Sequence, residues 1–205
     1  MTSFATHRLR VHDVSLAPVQ RFCGFRTCVA EFAPYGVRAT YHHLVRSARI
    51  PADLDEDPDA LVRAVEELHA AREIWRAAHA TWVVARRAQK AAGVRIPDPP
   101  EPTRRLWCPD PEFHPVEPLT VTMPRILRAP PGQWASCPVC DVDRGTTEHH
   151  DGHGVHRLCA GCGVSLGYRP TGPEHDVRAA RAAADAVAAR WRLVWRRTAP
   201  PWAGH

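Results

Sequence analysis

The chain contains no asparagine and only one lysine, Lys90, so its positive charge is carried almost entirely by arginine. Alanine and proline are abundant, with 20 prolines. That bias is the mark of a GC-rich genome, and it weakens any inference that one particular Arg or Ala was selected for its chemistry. Long apolar runs are also missing. Arg, Glu and His interrupt the Ala- and Val-rich stretches every few positions, well short of the roughly 20 residues that span a bilayer, so no membrane association is expected. Residues Met1 to Arg8 hold no apolar signal-peptide core, and seven cysteines, an odd number, do not close into a disulfide framework. The expected compartment is the reducing cytoplasm. No Gly-rich phosphate loop and no Ser-His-Asp order is present to suggest a common enzyme class.

The 205 residues, 44% of them hydrophobic, suffice for one ordinary domain or two small ones with a real core. The net charge of +5 and pI near 9.0 fit an anionic partner such as nucleic acid, although an excess of this size is also common in proteins that bind none.

Four of the cysteines form two Cys-x-x-Cys pairs, Cys137 with Cys140 and Cys159 with Cys162, separated by 18 residues. Each pair puts two thiolates on one tight turn. The spacer allows a hairpin that brings the turns together as a tetrahedral four-sulfur site, for which zinc is the expected metal. The stretch from Arg157 to Val164 resembles the second knuckle of a zinc ribbon, in which Gly163 follows the last ligand and lets backbone amides point at the sulfur. The order Cys pair, hairpin, Cys pair, Gly is similar to that of zinc-ribbon modules in general transcription factors and RNA polymerase subunits. The resemblance covers residues 134–170. It implies three short antiparallel strands and a metal that holds together a module too small for a core of its own.

Between the pairs lies a run of ligands and bases: Glu148, His149, His150, Asp151, Gly152, His153, Gly154, Val155 and His156. An acid-His pair so placed is similar to the HNH, or His-Me finger, endonucleases. On that resemblance His149 is the general base and Glu148 a ligand of the catalytic divalent metal. That family has a helix after its first strands. Here Val164 to Tyr168, followed by Pro170, reads as a strand and turn.

Residues 1–50 form a small Cys- and His-bearing module in which short strands or a small helix are expected. Phe22, Cys23, Cys28, Phe32, His42 and His43 resemble the first three ligands of a Cys-Cys-His-His finger. Arg46, Ser47 and Ala48 occupy the positions of the last His, so a second metal would draw its fourth ligand from elsewhere, such as Cys108 or His114. The alternative is two buried free cysteines beside surface histidines.

Asp57, Pro58 and Asp59 announce a helix that Gly93 stops, giving a span of 57–93. Along it Leu61, Leu68, Trp75 and Trp82 recur every seven residues, with Ala64, Ala71, Ala78 and Ala85 at the companion position. That is a heptad seam, and it calls for a covering partner. Residues 94–133 are proline-dense and read as an extended connector, broken by apolar pieces at 106–108 and 119–123, the latter alternating as a strand does. A second helix is expected over 172–198, with Val177, Ala180, Ala184, Val187, Trp191 and Val194 on its apolar line. Antiparallel pairing of the two helices is the economical arrangement, and homodimerisation through the heptad helix the other.

The expected fold is therefore mainly α with a small β zinc ribbon: a long antiparallel helix pair plus a four-cysteine zinc-binding module. The expected function is a zinc-stabilised, non-enzymatic DNA-binding or transcription-associated protein, partnered by DNA or by a protein of the transcription machinery. Arg157, Arg169, Arg192, Arg196 and Arg197 are its candidate phosphate contacts. The other readings are a protein-protein adaptor with a structural zinc clip and the HNH-like endonuclease.

Overall fold

The computed structural model describes residues 3–108, 117–129, 132–142, 144–150 and 153–170. Among them are five helices and a small three-stranded sheet: α1 (Phe4–His12), α2 (Pro18–Glu31), α3 (Val37–Ser47), α4 (Ala60–Ala91), α5 (Leu119–Ile126), β1 (Thr146–His150), β2 (Gly154–Cys159) and β3 (Ser165–Pro170). The helix expected over 172–198, with Arg192, Arg196 and Arg197, lies outside the described residues.

The N-terminal stretch is helical throughout, where short strands had been an alternative. Ser3 caps α1 by accepting the Thr6 amide at 3.4 Å, and Pro18 opens α2 at the position where a missing N–H costs nothing. Phe4, His7 and Val11 on α1 face Phe22, Phe25, Cys28 and Val29 on α2. The two helices run antiparallel: the Arg21 guanidinium donates to Val11 O at 2.8 Å near one end, and the Cys28 thiol lies 3.8 Å from Phe4 O near the other. Gly24 permits this close approach, since a Cβ there would lie 3.0 Å from His7 O. α3 completes the layer, its start marked by Gly36 at φ +84° and its Thr40 hydroxyl accepting the Tyr35 amide at 3.0 Å.

α4 is the spine. It begins at Ala60 rather than at Pro58, and the Asp57 carboxylate just before it holds Arg63 at 2.6 Å. It ends as the glycine predicts: Gly93 takes φ +81°, and Val94 N reaches back to Gln89 O at 2.9 Å. At 32 residues it is about 48 Å long. Its heptad seam divides in two. Leu61, Ala64, Leu68 and Ala71 are buried against the other helices, whereas Trp75 and Trp82 are half-buried and face the proline-rich segment.

That segment is an ordered strap running back along α4. Arg86 donates to Val94 O and Arg95 O, Trp82 donates to Pro99 O, and Trp75 donates to Pro102 O. Arg104 then sits 5.5 Å from the Trp75 ring centre and bonds Glu31 O. Leu106 N meets Pro34 O at 2.6 Å, and Trp107 O accepts the Ser165 amide at 2.6 Å, so the strap passes from the helical layer to the edge of the sheet.

The piece expected as a strand over 119–123 is helix α5. Leu119, Thr122, Met123 and Ile126 are buried at helical spacing. The half-buried Glu67 carboxylate accepts the first amide of the helix, Leu119 N, at 2.8 Å. It also accepts the Ser47 hydroxyl at 2.7 Å and meets His43 Nε2 at 3.2 Å. Burial alone would raise the Glu67 pKa, but these hydrogen bonds outweigh it and hold it below the usual carboxylate range. One cluster of buried side chains joins α1 to α5 with the cysteine turns.

Candidate metal centre

The two Cys-x-x-Cys turns close in the same way. In each, the residue after the second cysteine turns through positive φ, Asp141 at +59° and Gly163 at +70°. Its amide bonds back to the carbonyl of the first cysteine at 2.8 Å, Asp141 N to Cys137 O and Gly163 N to Cys159 O. Gly161 N also points at Cys159 Sγ, 3.3 Å away. Between the turns, β1 and β2 form an antiparallel hairpin in register Thr146 to Cys159 through His150 to Val155, and β3 adds to the far side of β2. The three antiparallel strands agree with the sequence expectation.

The hairpin brings the four sulfurs together. Cys137, Cys140, Cys159 and Cys162 have their Sγ atoms all within 4.8 Å of one another, and Cys137 and Cys162 are 3.6 Å apart. A tetrahedral zinc with bonds of about 2.3 Å would place its sulfurs about 3.8 Å apart, so the geometry is compatible with a zinc ion. Three of the cysteines are buried and Cys140 is half-buried, with Val139 and Val164 sealing the site.

The four thiols influence one another's protonation. The Cys137 thiol is pulled down to about 5, chiefly by the hydrogen bond from Cys162 and also by the Cys140 and Val139 amides. Burial pushes Cys140 up to about 12, and Cys162 is pushed up because Cys137 takes its hydrogen bond. Four thiolates held this close together would repel one another, and a bound dication would offset that repulsion.

Two arginines brace the turns. Arg125 of α5 binds Glu117 at 2.7 and 3.0 Å, reaches Val139 O at 3.4 Å and lies 3.7 Å from Asp141, so it joins the helical body to the first turn. The Arg144 side chain crosses the second turn where Gly161 leaves room, since a Cβ on Gly161 would come within 2.5 Å of Arg144 Cδ. Neither role is legible from spacing.

The candidates for a second metal site are not gathered together. Among the described residues, the four cysteines are the one group of three or more potential ligands. Cys23 is exposed on α2, while Cys28 is buried against Phe4 O, its thiol pushed up to about 12 by burial. His42 is buried and lowered to about 4, mainly by that burial, and His43 is committed to Glu67. Cys108 is buried beside the four-cysteine cluster, its Sγ 3.7 Å from Cys162 O. His114 lies outside the described residues. The C₂H₂-like spacing fails because α2 and α3 point these side chains into different contacts.

Glu148 lies opposite Arg157 and 3.8 Å from His150, while the His149 ring lies 5.3 Å from that of Trp107. The element that follows the last cysteine is strand β3, not a helix as in the nuclease resemblance. Trp107, His156 and Tyr168 were not foreseen as a group. Strand register aligns His149 with His156 and His156 with Tyr168, and the strap adds Trp107 at 4.2 Å from the His156 ring.

Of the arginines predicted to meet phosphate, Arg157 and Arg169 are exposed on β2 and β3. Among the described residues, no helix is long and apolar enough to cross a membrane. Comparison with protein-family models, with curated proteins and with solved structures gives no match.

Proposed function

We propose that the chain is a zinc-stabilised, non-enzymatic nucleic-acid-binding protein of the transcription-associated kind, with DNA as its expected partner. In this reading residues 134–170 are a zinc ribbon. The metal is structural: four cysteines fill a tetrahedral shell and leave no position for substrate or activated water.

The observation that carries the reading is the pair Arg157 and Arg169. Both are exposed on a sheet anchored by the cysteine turns, and among the described residues neither side chain makes a hydrogen bond or ion pair. Glu148 stands opposite Arg157 in the sheet, and among the described residues neither guanidinium is within ion-pair distance of a carboxylate. An arginine fork suits phosphate oxygens, and a rigid sheet holds two forks at a fixed separation.

The test is electrophoretic mobility shift of DNA by the zinc-loaded full chain across a salt series. Affinity should fall steeply with salt, and Arg157→Gln or Arg169→Gln should each flatten the slope by about 1. Zinc binding without any nucleic-acid binding would overturn the reading in favour of a protein-protein adaptor with a zinc clip.

A further inference from the structure

The strap that runs back along α4 ends on the cysteine module. Its middle is anchored on the helical body: Trp75 donates to Pro102 O at 3.3 Å, Arg104 bonds Glu31 O, and Leu106 N meets Pro34 O at 2.6 Å. The next two residues change sides. Trp107 O accepts the amide of Ser165, three residues past Cys162, at 2.6 Å, and Cys108 Sγ lies 3.7 Å from Cys162 O. The Trp107 ring lies against the sheet, its centre 4.2 Å from that of His156 and 5.3 Å from that of His149. Cys108 is only 4% exposed, so this end of the strap is packed into the module.

The seat for that end is made by the second cysteine turn. Gly163 N bonds Cys159 O at 2.8 Å, Gly161 N points at Cys159 Sγ from 3.3 Å, and Cys159 N closes on Val164 O at 3.0 Å. Each of these bonds starts or ends on Cys159. The sheet behind the turn has three short strands and a few buried side chains such as Val155, Leu158 and Leu166. A module of that size depends on its metal to stay folded. Stripping the metal therefore removes the surface on which Trp107 and Cys108 rest.

The effect passes along the strap by contact. Arg104, three residues before Trp107, lies 5.5 Å from the centre of the Trp75 ring. Beyond it Pro99, Pro100 and Pro102 form one wall of a groove of about 550 Å³, with Ala78, Trp82 and Leu127 opposite. A strap released at one end regains the conformational freedom that its anchors had removed.

We propose that occupancy of the four-cysteine site is coupled, through Trp107 and Cys108, to the order of the strap, so that the state of the metal is felt at the tryptophan face of α4. This rests on the zinc reading above and adds to it a conformational consequence that a plain clip lacks. Coupling between two sites is reciprocal, so whatever loosens the strap's seat on the sheet also weakens the metal.

Amide hydrogen exchange at Leu106 in zinc-loaded and chelator-stripped full chains tests one direction, and zinc affinity by competition with a chromogenic chelator tests the other. Stripping should speed Leu106 exchange by at least about fivefold, the lower end of typical couplings. Trp107→Ala leaves all four cysteines in place and should weaken zinc binding by at least about the same factor, while Trp107→Phe keeps a ring against His156 and most of the affinity. Arg8→Gln breaks an ion pair with Glu66 on the helical body and should leave zinc affinity unchanged. Leu106 exchange that ignores the metal overturns the coupling. So does wild-type zinc affinity in Trp107→Ala, whatever the stripped chain does, and either result leaves the zinc site standing. A wild-type chain that takes up no zinc overturns both.

Discussion

The indole N–H of Trp82 donates to the carbonyl oxygen of Pro99 at 2.9 Å, so a seam position on α4 meets a proline-rich strap. The pairing is chemically apt. A half-buried indole needs an acceptor, and a segment dense in proline has few N–H groups to compete for its own carbonyls. Trp75 repeats the contact with Pro102 at 3.3 Å. Trp82→Phe should therefore loosen the strap, at a cost of about 1 kcal/mol for the lost hydrogen bond, and Trp82→Ala should cost more. Limited proteolysis should show faster cleavage within residues 94–104 in both variants. Unchanged cleavage in Trp82→Ala would mean that the indole does not hold the strap.

Glu67 makes stability depend on acid. Its pKa in the folded chain lies below the unfolded value because His43, the Leu119 amide and the Ser47 hydroxyl together outweigh the burial that opposes ionisation. A lowered carboxylate pKa contributes stability that is fully present above the unfolded value, near 4.3, and is lost as pH falls through the folded value. Denaturant midpoints should thus decline below about pH 4.5 in the wild type. Glu67→Gln should flatten that decline and lower stability at neutral pH by about 1–3 kcal/mol, the range for disturbing a buried hydrogen-bonded charge. An acid limb identical in the two proteins would remove Glu67 from the account.

Arg125 ties α5 to the first cysteine turn through Glu117, Val139 O and Asp141. Arg125→Gln leaves all four cysteines in place but removes the brace, so metal content at saturating zinc should stay the same while a chelator strips the metal faster. Chelator release at the wild-type rate would show that the turn is rigid without the arginine.

The cysteine turns, the Gly93 stop and the long helix were legible in the sequence because each is set by a few neighbouring residues. Cys-x-x-Cys and the glycine after it specify a turn wherever they occur, and Leu61, Ala64, Leu68 and Ala71 mark a buried stripe by spacing alone. Periodicity tells which face is covered but not by what, which is why the strap under Trp75 and Trp82 was missed. In Leu119, Val121 and Met123 the strand period competes with the helical set Leu119, Thr122, Met123 and Ile126. A window of eight residues fits both, and the choice depends on Glu67, 52 residues away. The apparent finger ligands of residues 23–43 failed for a related reason: spacing says nothing of the direction in which helices α2 and α3 aim Cys23, Cys28 and His42. The Trp107, His156 and Tyr168 stack needed the strand register, which no local pattern encodes.

The central claim is that Cys137, Cys140, Cys159 and Cys162 hold one zinc ion. It is tested most directly by elemental analysis of metal per chain in the wild type and in Cys159→Ser. One zinc per wild-type chain and a large loss in the variant is the predicted result. A wild-type chain purified without oxidation of its cysteines that takes up no zinc, or a Cys159→Ser chain that keeps its full complement, would contradict it.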